Sequence, residues 1–447
     1  MSFLMEFNST HSRRSFVKKV GGVAGMLSGA AAFTALAGET GLAPPTVPAH
    51  EDVTTEEDYW GWVQKAYTVS PNIINLNNGG VSPQPLMVQE ALDRYNRLSN
   101  EGPSYYMWRT LDEGRESVRI KLADLAGCSP EEVAINRNAT EALETVIFGL
   151  DLKKGDEVVL TKQDYPNMIN AWKQREKRDG VVLKFLNLDL PIEDDQIIVR
   201  KFEEAFTRKT RVVMVTHLVN WSGQIMPAAL ISRAARKYHP DIRVLIDGAH
   251  SFAHLQYQLP DLGGDYFGTS LHKWLSAPFG SGMLYVKKDR IKEIWPLFAG
   301  QEPQSTDIRK FETLGTRSFP TEMAIGHAIN FHESIGAERK QKRLHYLKNY
   351  WLEKCLDIPG FSTQTSLKPE FSGAIATFLL KGWTPEQLAT QLFRRSRIHT
   401  SATVWENIKG VRVTPHVYTP LRDLDRLVST IQALAKETPT TAGSSKG

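Results

Sequence analysis

Short apolar runs alternate with segments of helical periodicity through the middle of the chain. The runs are nearly continuous in apolar side chains, which is typical of strands that are buried on both faces. They lie at 156–160, 181–186, 212–215 and 244–246. Helical spacing recurs between them, in 202–206 and 227–238. This alternation predicts an α/β fold with a mostly parallel central sheet covered on both sides by helices.

The pattern changes on both sides of this region. Helical spacing at 86–98 and 111–126 precedes the alternation, whereas two isolated strand patterns and the helices that follow them occur after Trp295. The sequence therefore predicts a large domain over 86–310 and a smaller α+β domain formed by 56–85 and 311–437. The small and polar residues of 438–447 predict a disordered tail.

The N-terminus has the pattern of an export signal. Paired arginines, Arg13 and Arg14, precede an aromatic residue, and a Gly- and Ala-rich apolar segment ends at Ala37. The run is similar to twin-arginine signals, which implies recognition by the Tat machinery, a periplasmic or exported protein and no stable membrane association after cleavage. We expect a signal peptide at 1–37 and a Pro-containing linker at 38–55. An uncleaved anchor is the alternative.

Composition and charge give no support for several classes of protein function. The formal net charge is +4, and residues 1–37 carry four basic residues against one acidic residue, which leaves +1 for the remainder. A nearly neutral chain gives no electrostatic basis for nucleic-acid binding. The 12 histidines show no metal-ligand spacing within a helix. The two cysteines, Cys128 and Cys355, form no disulfide framework, and the sequence leaves open whether they pair.

Polar and aromatic residues follow the predicted parallel strands. Tyr165, Asn220 and Asp247 come at or just after strand ends. Ligands of such sheets bind at the carboxyl ends of the strands, so these three residues mark the predicted site. Asn138 and Thr140 open a predicted helix whose free N–H groups suit an anion, although a plain helix cap explains them equally well.

Lys273 is the most unusual lysine of the chain. It stands between a histidine and a tryptophan in a polar and aromatic loop before a strand at 283–286, with Asp247 26 residues upstream. A lysine in such a pocket can have a lowered pKa and form a Schiff base. Together with an aspartate at a strand end it fits pyridoxal phosphate (PLP), with Thr140 near the phosphate and Tyr165 stacked on the ring. Taken alone, Lys273 could equally be a solvated loop residue.

Four motifs in order resemble the class V aminotransferase family of fold-type I PLP enzymes. Within that family the chain looks most similar to isopenicillin N epimerase-like proteins, from about residue 75 to residue 434. The motifs are Asn138-Ala139-Thr140-Glu141, Asp247-Gly248-Ala249-His250, Ser270-Leu271-His272-Lys273-Trp274 and Gly315-Thr316-Arg317.

The resemblance implies roles for individual residues. Lys273 would form the Schiff base and Asp247 would hold the pyridine nitrogen, while Arg412 would bind the substrate carboxylate. The other implied cofactor contacts are Ala139, Thr140, Ser270 and His272 at the phosphate, Tyr165 on the ring, and Asn220 and His250 near the ring hydroxyl. Thr316 would reach the phosphate of the neighbouring subunit in a homodimer.

The reaction is less well defined than the cofactor. Cysteine desulfurases of this family carry a cysteine before the last strand, where this chain reads Arg397-Ile398-His399-Thr400-Ser401-Ala402. The sequence therefore argues against persulfide chemistry. We expect an enzyme acting at Cα of an amino acid or peptide-like amino acid, with epimerisation first and a C–S or C–N lyase or an aminotransferase as alternatives. A non-catalytic exported binding protein is a remote alternative.

Overall fold

A computed structural model describes residues 52–437. The expected signal peptide, most of the linker and the tail from residue 438 lie outside the described residues. Between residues 52 and 437, no helix combines the length and the apolar character that a bilayer span requires.

The strands form three sheets in the described part of the chain. Their bounds are β1 (Ile74–Asn75), β2 (Val133–Asn136), β3 (Glu157–Thr161), β4 (Val182–Leu186), β5 (Thr210–Thr216), β6 (Arg243–Asp247), β7 (Tyr266–Ser270), β8 (Gly282–Val286), β9 (Phe361–Thr363), β10 (Ala376–Leu380), β11 (Ile398–His399), β12 (Ser401–Trp405) and β13 (Ile408–Val413).

The helices alternate with the strands of the central region and flank it on both sides. Their bounds are α1 (Glu57–Gln64), α2 (Leu86–Glu101), α3 (Pro103–Tyr106), α4 (Asp112–Ala126), α5 (Ala139–Gly149), α6 (Pro166–Asp179), α7 (Asp195–Ala205), α8 (Ala228–Tyr238), α9 (Phe319–Ile335), α10 (Ala337–Glu353), α11 (Pro385–Ser396) and α12 (Leu421–Ala435).

The central sheet has seven strands in the order β2-β8-β7-β6-β5-β3-β4. All neighbours are parallel except for β8, which runs antiparallel to both β2 and β7. Along β5, Val213 and Val215 belong to one apolar cluster and Val212 and Met214 to another. Because successive side chains of a strand point to opposite faces, the sheet is buried on both sides, as the continuous apolar runs predict.

A four-stranded antiparallel sheet has the order β12-β13-β10-β9. Its strands share one apolar core with α10, α11 and α12. The sequence pattern predicts a strand over 411–418, but β13 ends at Val413. The chain turns at Thr414, whose N–H donates to the Leu76 carbonyl at 2.8 Å. This contact draws the end of β13 towards the turn at Asn77–Gly80.

The segment before Lys273 is a buried strand, which the sequence pattern does not separate from the loop. β7 is buried along its whole length. A Cβ at Gly268 would lie 2.7 Å from Leu143 Cγ, so only glycine allows α5 to pack this closely on the strand. The strand fixes the point from which the Lys273 loop leaves the sheet.

Candidate active site

A cavity of about 300 Å³ opens at the edge of the central sheet where β3, β5, β6 and β7 end. It lies beside the first turn of α5, and Arg412 of β13 also lines it. Ten of the eleven residues that the sequence singles out line it. They are Ala139, Thr140, Tyr165, Asn220, Asp247, His250, Ser270, His272, Lys273 and Arg412. The parallel strands thus bring together residues far apart in sequence, while their individual roles stay predictions.

Lys273 presents its amine to this cavity three residues after the end of β7. Its Nζ lies 3.1 Å from His250 Nε2. Burial lowers the pKa of the Lys273 amine to about 8, the charge of Asp247 opposes this effect, and Arg412 reinforces it. An amine with this pKa is partly neutral near pH 8, which a nucleophile requires.

Two buried carboxyl groups lie at this end of the sheet: Asp247 lines the cavity, and Asp164 directly precedes the lining residue Tyr165. Asp247 ends β6, its Oδ1 accepts from the Ala249 N–H at 2.9 Å, and burial raises the pKa of its carboxyl. Asp164 precedes Tyr165 and accepts from the Thr216 hydroxyl at 2.8 Å. Burial raises the pKa of Asp164 to about 6. The sequence pattern missed Asp164 and Thr216, although Thr216 ends β5 and Asp164 follows the end of β3, where such groups are expected.

The first turn of α5 lines one side of the cavity. Asn138 caps the helix by accepting from the Glu141 N–H at 2.9 Å, as its position before the helix predicts. The Ser270 hydroxyl accepts from the Ala139 N–H at 2.9 Å, which ties the turn to the end of β7. A Cβ at Gly282 would lie 2.6 Å from the Asn138 backbone, so glycine permits this approach.

His272 lies next to Lys273 and also lines the cavity. Its Nδ1 lies 3.1 Å from the Ser281 carbonyl, which can only accept, so Nδ1 carries a proton. Burial, followed by the charge of Lys273, lowers the pKa of the imidazole. The ring is therefore held at its Nδ1 side while Nε2 remains for a ligand.

Arg412 reaches the cavity from β13 and has no carboxylate partner among the described residues. Its Nη1 donates to the Asn220 carbonyl at 3.1 Å and its Nη2 to Asn77 Oδ1 at 2.9 Å. Its buried Nε and the buried Oδ1 of Asn220 have no protein partner in the described chain. Burial lowers the pKa of Arg412 to about 10. Arg412 thus has unused donor capacity for a carboxylate ligand. The sequence analysis missed Asn77, since its contact spans 335 residues.

Thr316 is the one predicted site residue that does not line the cavity. It is exposed in the loop before α9. Its predicted contact with a neighbouring subunit stays a prediction.

Both cysteines are unpaired, and neither lines the cavity. Cys128 packs at the margin of a core cluster of the central region, and Cys355 is buried in the core of the smaller sheet. Burial raises the pKa of each thiol to about 12. No thiolate nucleophile is therefore available to this cavity.

The cavity fits PLP by the chemistry of its donors. A buried amine, a carboxyl at a strand end and a capped helix N-terminus face one space that also contains the buried and unpaired Asn220 Oδ1. Lys273 would bind the aldehyde carbon and Asp247 the pyridine nitrogen, with the turn at Thr140 near the phosphate.

Comparisons with known proteins agree with this fit. The family model described as "Aminotransferase class-V" matches residues 74–427. The chain is 28% identical over 397 residues to an isopenicillin N epimerase of Streptomyces clavuligerus, covering 85% of this chain and 99% of the relative. It is 29% identical to a probable cysteine desulfurase of Halalkalibacterium halodurans, over 80% and 92% of the two chains.

Solved structures show the same fold. The cystine C–S lyase C-DES, in complex with its product cysteine persulfide, superimposes with a TM-score of 0.74 at 23% identity, covering 83% of this chain and 99% of that one. This likeness identifies the fold-type I architecture. With a family match over most of its length, the chain belongs to the class V aminotransferase family and is a PLP-dependent enzyme.

Proposed function

We propose that this enzyme moves a proton at Cα of an amino acid or peptide-like amino acid and acts as an epimerase. One observation carries the proposal: the cavity places the Lys273 amine beside His250 and close enough to Arg412 for its charge to lower the pKa of the amine. Neither of the two cysteine thiols lines this cavity. The similarity to an isopenicillin N epimerase over nearly the whole relative supports it.

The residues of the cavity divide the work in the proposed reaction. PLP supplies an electron sink that acidifies the Cα proton of the bound amino acid. Arg412 holds the substrate carboxylate through its free donor capacity, which orients Cα. The Lys273 amine, with its lowered pKa, accepts the proton, and His250 beside it is a second proton-carrying group.

Cleavage of a C–S bond by a lyase is the second candidate function. The similarity to a probable cysteine desulfurase favours chemistry at a sulfur substituent. The desulfurase route through a thiol does not suit a cavity without cysteine. Elimination uses the same first proton transfer and needs only a leaving group, so the lyase follows from the same residues. Aminotransfer differs from both in returning the proton to the cofactor.

The product formed in deuterated water separates these reactions. We expect an accepted amino acid to gain deuterium at Cα and to become a mixture of its two stereoisomers, as followed by NMR and chiral chromatography. If sulfide, ammonia or a 2-oxo acid is released at the rate of substrate loss, the enzyme is a lyase or an aminotransferase and the epimerase proposal is wrong. Binding without any exchange would support a binding protein instead.

We also propose that the protein is exported by the Tat machinery and works as a homodimer. The paired Arg13 and Arg14 support export. The exposed position of Thr316, away from its own cavity, leaves it free to serve the site of a partner subunit. Fractionation of cells expressing the Arg13→Lys/Arg14→Lys variant tests export. A mixture of inactive Lys273→Ala and Thr316→Ala chains that regains no activity would argue against shared sites.

A further inference from the structure

Trp274 follows Lys273 and is enclosed on every side. It is fully buried, with its ring 3.8 Å from the His254 ring, measured between centroids, and 5.7 Å from the His416 ring. The Lys340 amine donates a hydrogen bond to the Trp274 carbonyl. This packing fixes the orientation of the indole next to Lys273.

The indole nitrogen of Trp274 faces His250, the histidine whose other ring nitrogen lies beside Lys273. Trp274 Nε1 donates to His250 Nδ1 at 3.4 Å. An indole N–H can only donate, so Nδ1 must be the unprotonated nitrogen of the His250 ring. On the other side of the ring, Nε2 lies 3.1 Å from Lys273 Nζ.

Burial keeps the His250 ring neutral. Its pKa lies well below the ordinary value because of burial first, and then because of the charges of Lys273, Arg412 and His254. A neutral imidazole carries one proton, and with Nδ1 accepting from the indole that proton belongs on Nε2.

We propose that Trp274 is a positioning residue that holds His250 in the tautomer with its proton on Nε2, so that this proton points at the Lys273 nitrogen. The inference concerns the site before PLP binds to Lys273 and holds for an epimerase, a lyase or an aminotransferase alike.

The fixed tautomer affects the protonation of Lys273. An Nε2–H group needs an acceptor, which a neutral amine offers and an ammonium does not. If the indole N–H is removed, the imidazole can move its proton to Nδ1 and accept from a Lys273 ammonium instead. Asp247 and Arg412 also face the amine, with opposite effects on its pKa, and both remain in place. Loss of the indole N–H should therefore raise the pKa of Lys273.

Nitrogen-15 NMR of histidine-labelled protein tests the tautomer directly. The resonances of His250 are identified by their absence from the His250→Gln variant. In the full chain freed of its cofactor, we expect the Nε2 chemical shift of a protonated nitrogen and the Nδ1 chemical shift of an unprotonated nitrogen. The opposite assignment, or a fast mixture of the two tautomers, would overturn the proposal.

The Trp274→Phe variant tests the consequence for Lys273 without using turnover. We expect the pH midpoint of PLP uptake by the cofactor-free protein to rise by about one unit, since the variant gains roughly one hydrogen bond to the ammonium. Trp172→Phe is the matched control: Trp172 is fully buried in another apolar cluster and donates to Met214 Sδ.

A Trp274→Phe midpoint equal to that of the control would overturn the proposal. If circular dichroism shows that the variant fails to fold, the NMR assignment of the unmodified chain decides alone. The epimerase proposal is tested separately, by the product formed in deuterated water. If that proposal fails, the tautomer of His250 is unaffected.

Discussion

Gln163 and Asn407 join two segments of the active-site region that are 244 residues apart in sequence. Gln163 Nε2 donates to Asn407 Oδ1 at 2.8 Å, and Asn407 Nδ2 donates to the Leu188 carbonyl at 2.9 Å. Asn407 lies at the tip of the β12–β13 hairpin, which carries Arg412, and Gln163 lies two residues before Tyr165. The contact therefore sets the distance between the residues predicted to hold the substrate and the cofactor ring.

The Asn407→Ala variant should loosen substrate binding while leaving the cofactor in place. The variant loses three side-chain hydrogen bonds of about 1 kcal/mol each, to Gln163, Leu188 and Asp189. This loss lets the hairpin shift, so we expect KM to rise roughly tenfold. PLP uptake by the cofactor-free protein should stay unchanged. Asn100→Ala, at an exposed asparagine that donates to the Asn96 carbonyl, is the control. Equal KM values for both variants would show that the contact does not position Arg412.

Arg412→Lys should weaken binding of the substrate carboxylate. The guanidinium presents a planar fork that an ammonium cannot reproduce, so the charge is kept while the bidentate geometry is lost. We expect KM to rise by about 10- to 100-fold with a smaller change in kcat. The measurement is steady-state kinetics beside Arg422→Lys, whose side chain is 86% exposed. An unchanged KM would place the substrate carboxylate elsewhere.

The rate of PLP uptake should depend on the protonation of Lys273. The folded pKa is about 8, below the ordinary value of 10.5, because burial disfavours the charged amine. Only the neutral amine attacks the aldehyde, so the rate should increase with pH up to about 8 and level off above it. Rapid-mixing absorbance measurements on cofactor-free protein give this profile. A rate that still increases tenfold per pH unit between 9 and 10 would contradict the lowered pKa.

The sequence predicts the central sheet and most of the cavity for a simple reason. Buried parallel strands leave continuous apolar runs, and their carboxyl ends meet at one edge. Tyr165, Asn220 and Asp247 could therefore be placed together before any coordinates were known, and the cavity contains all three. Lys273 is conspicuous by its own sequence context and the family resemblance adds Arg412, and the cavity contains these two residues as well.

Contacts between distant segments could not be predicted in this way. Asn407 and Gln163 are 244 residues apart, and neither residue stands out in a periodic pattern. The pattern does not reveal β7 because its glycine and hydroxyl residues lower the apolar signal of the strand. The glycine, Gly268, is nevertheless required for the close packing of α5 on this strand. The enclosure of Trp274 by His254 and His416 is likewise a property of tertiary packing alone.

The most direct test of the account is to locate the bound cofactor. Borohydride reduction of the PLP-loaded protein should bleach its visible band, and mass spectrometry of the peptides should place the label on Lys273. The control is Lys310→Ala: burial also lowers the pKa of Lys310 to about 8, but its amine donates to the Pro303 carbonyl instead. We predict that Lys310→Ala keeps the band and that Lys273→Ala loses it. A reduced label on any other lysine, or a band that survives Lys273→Ala, would contradict the central claim.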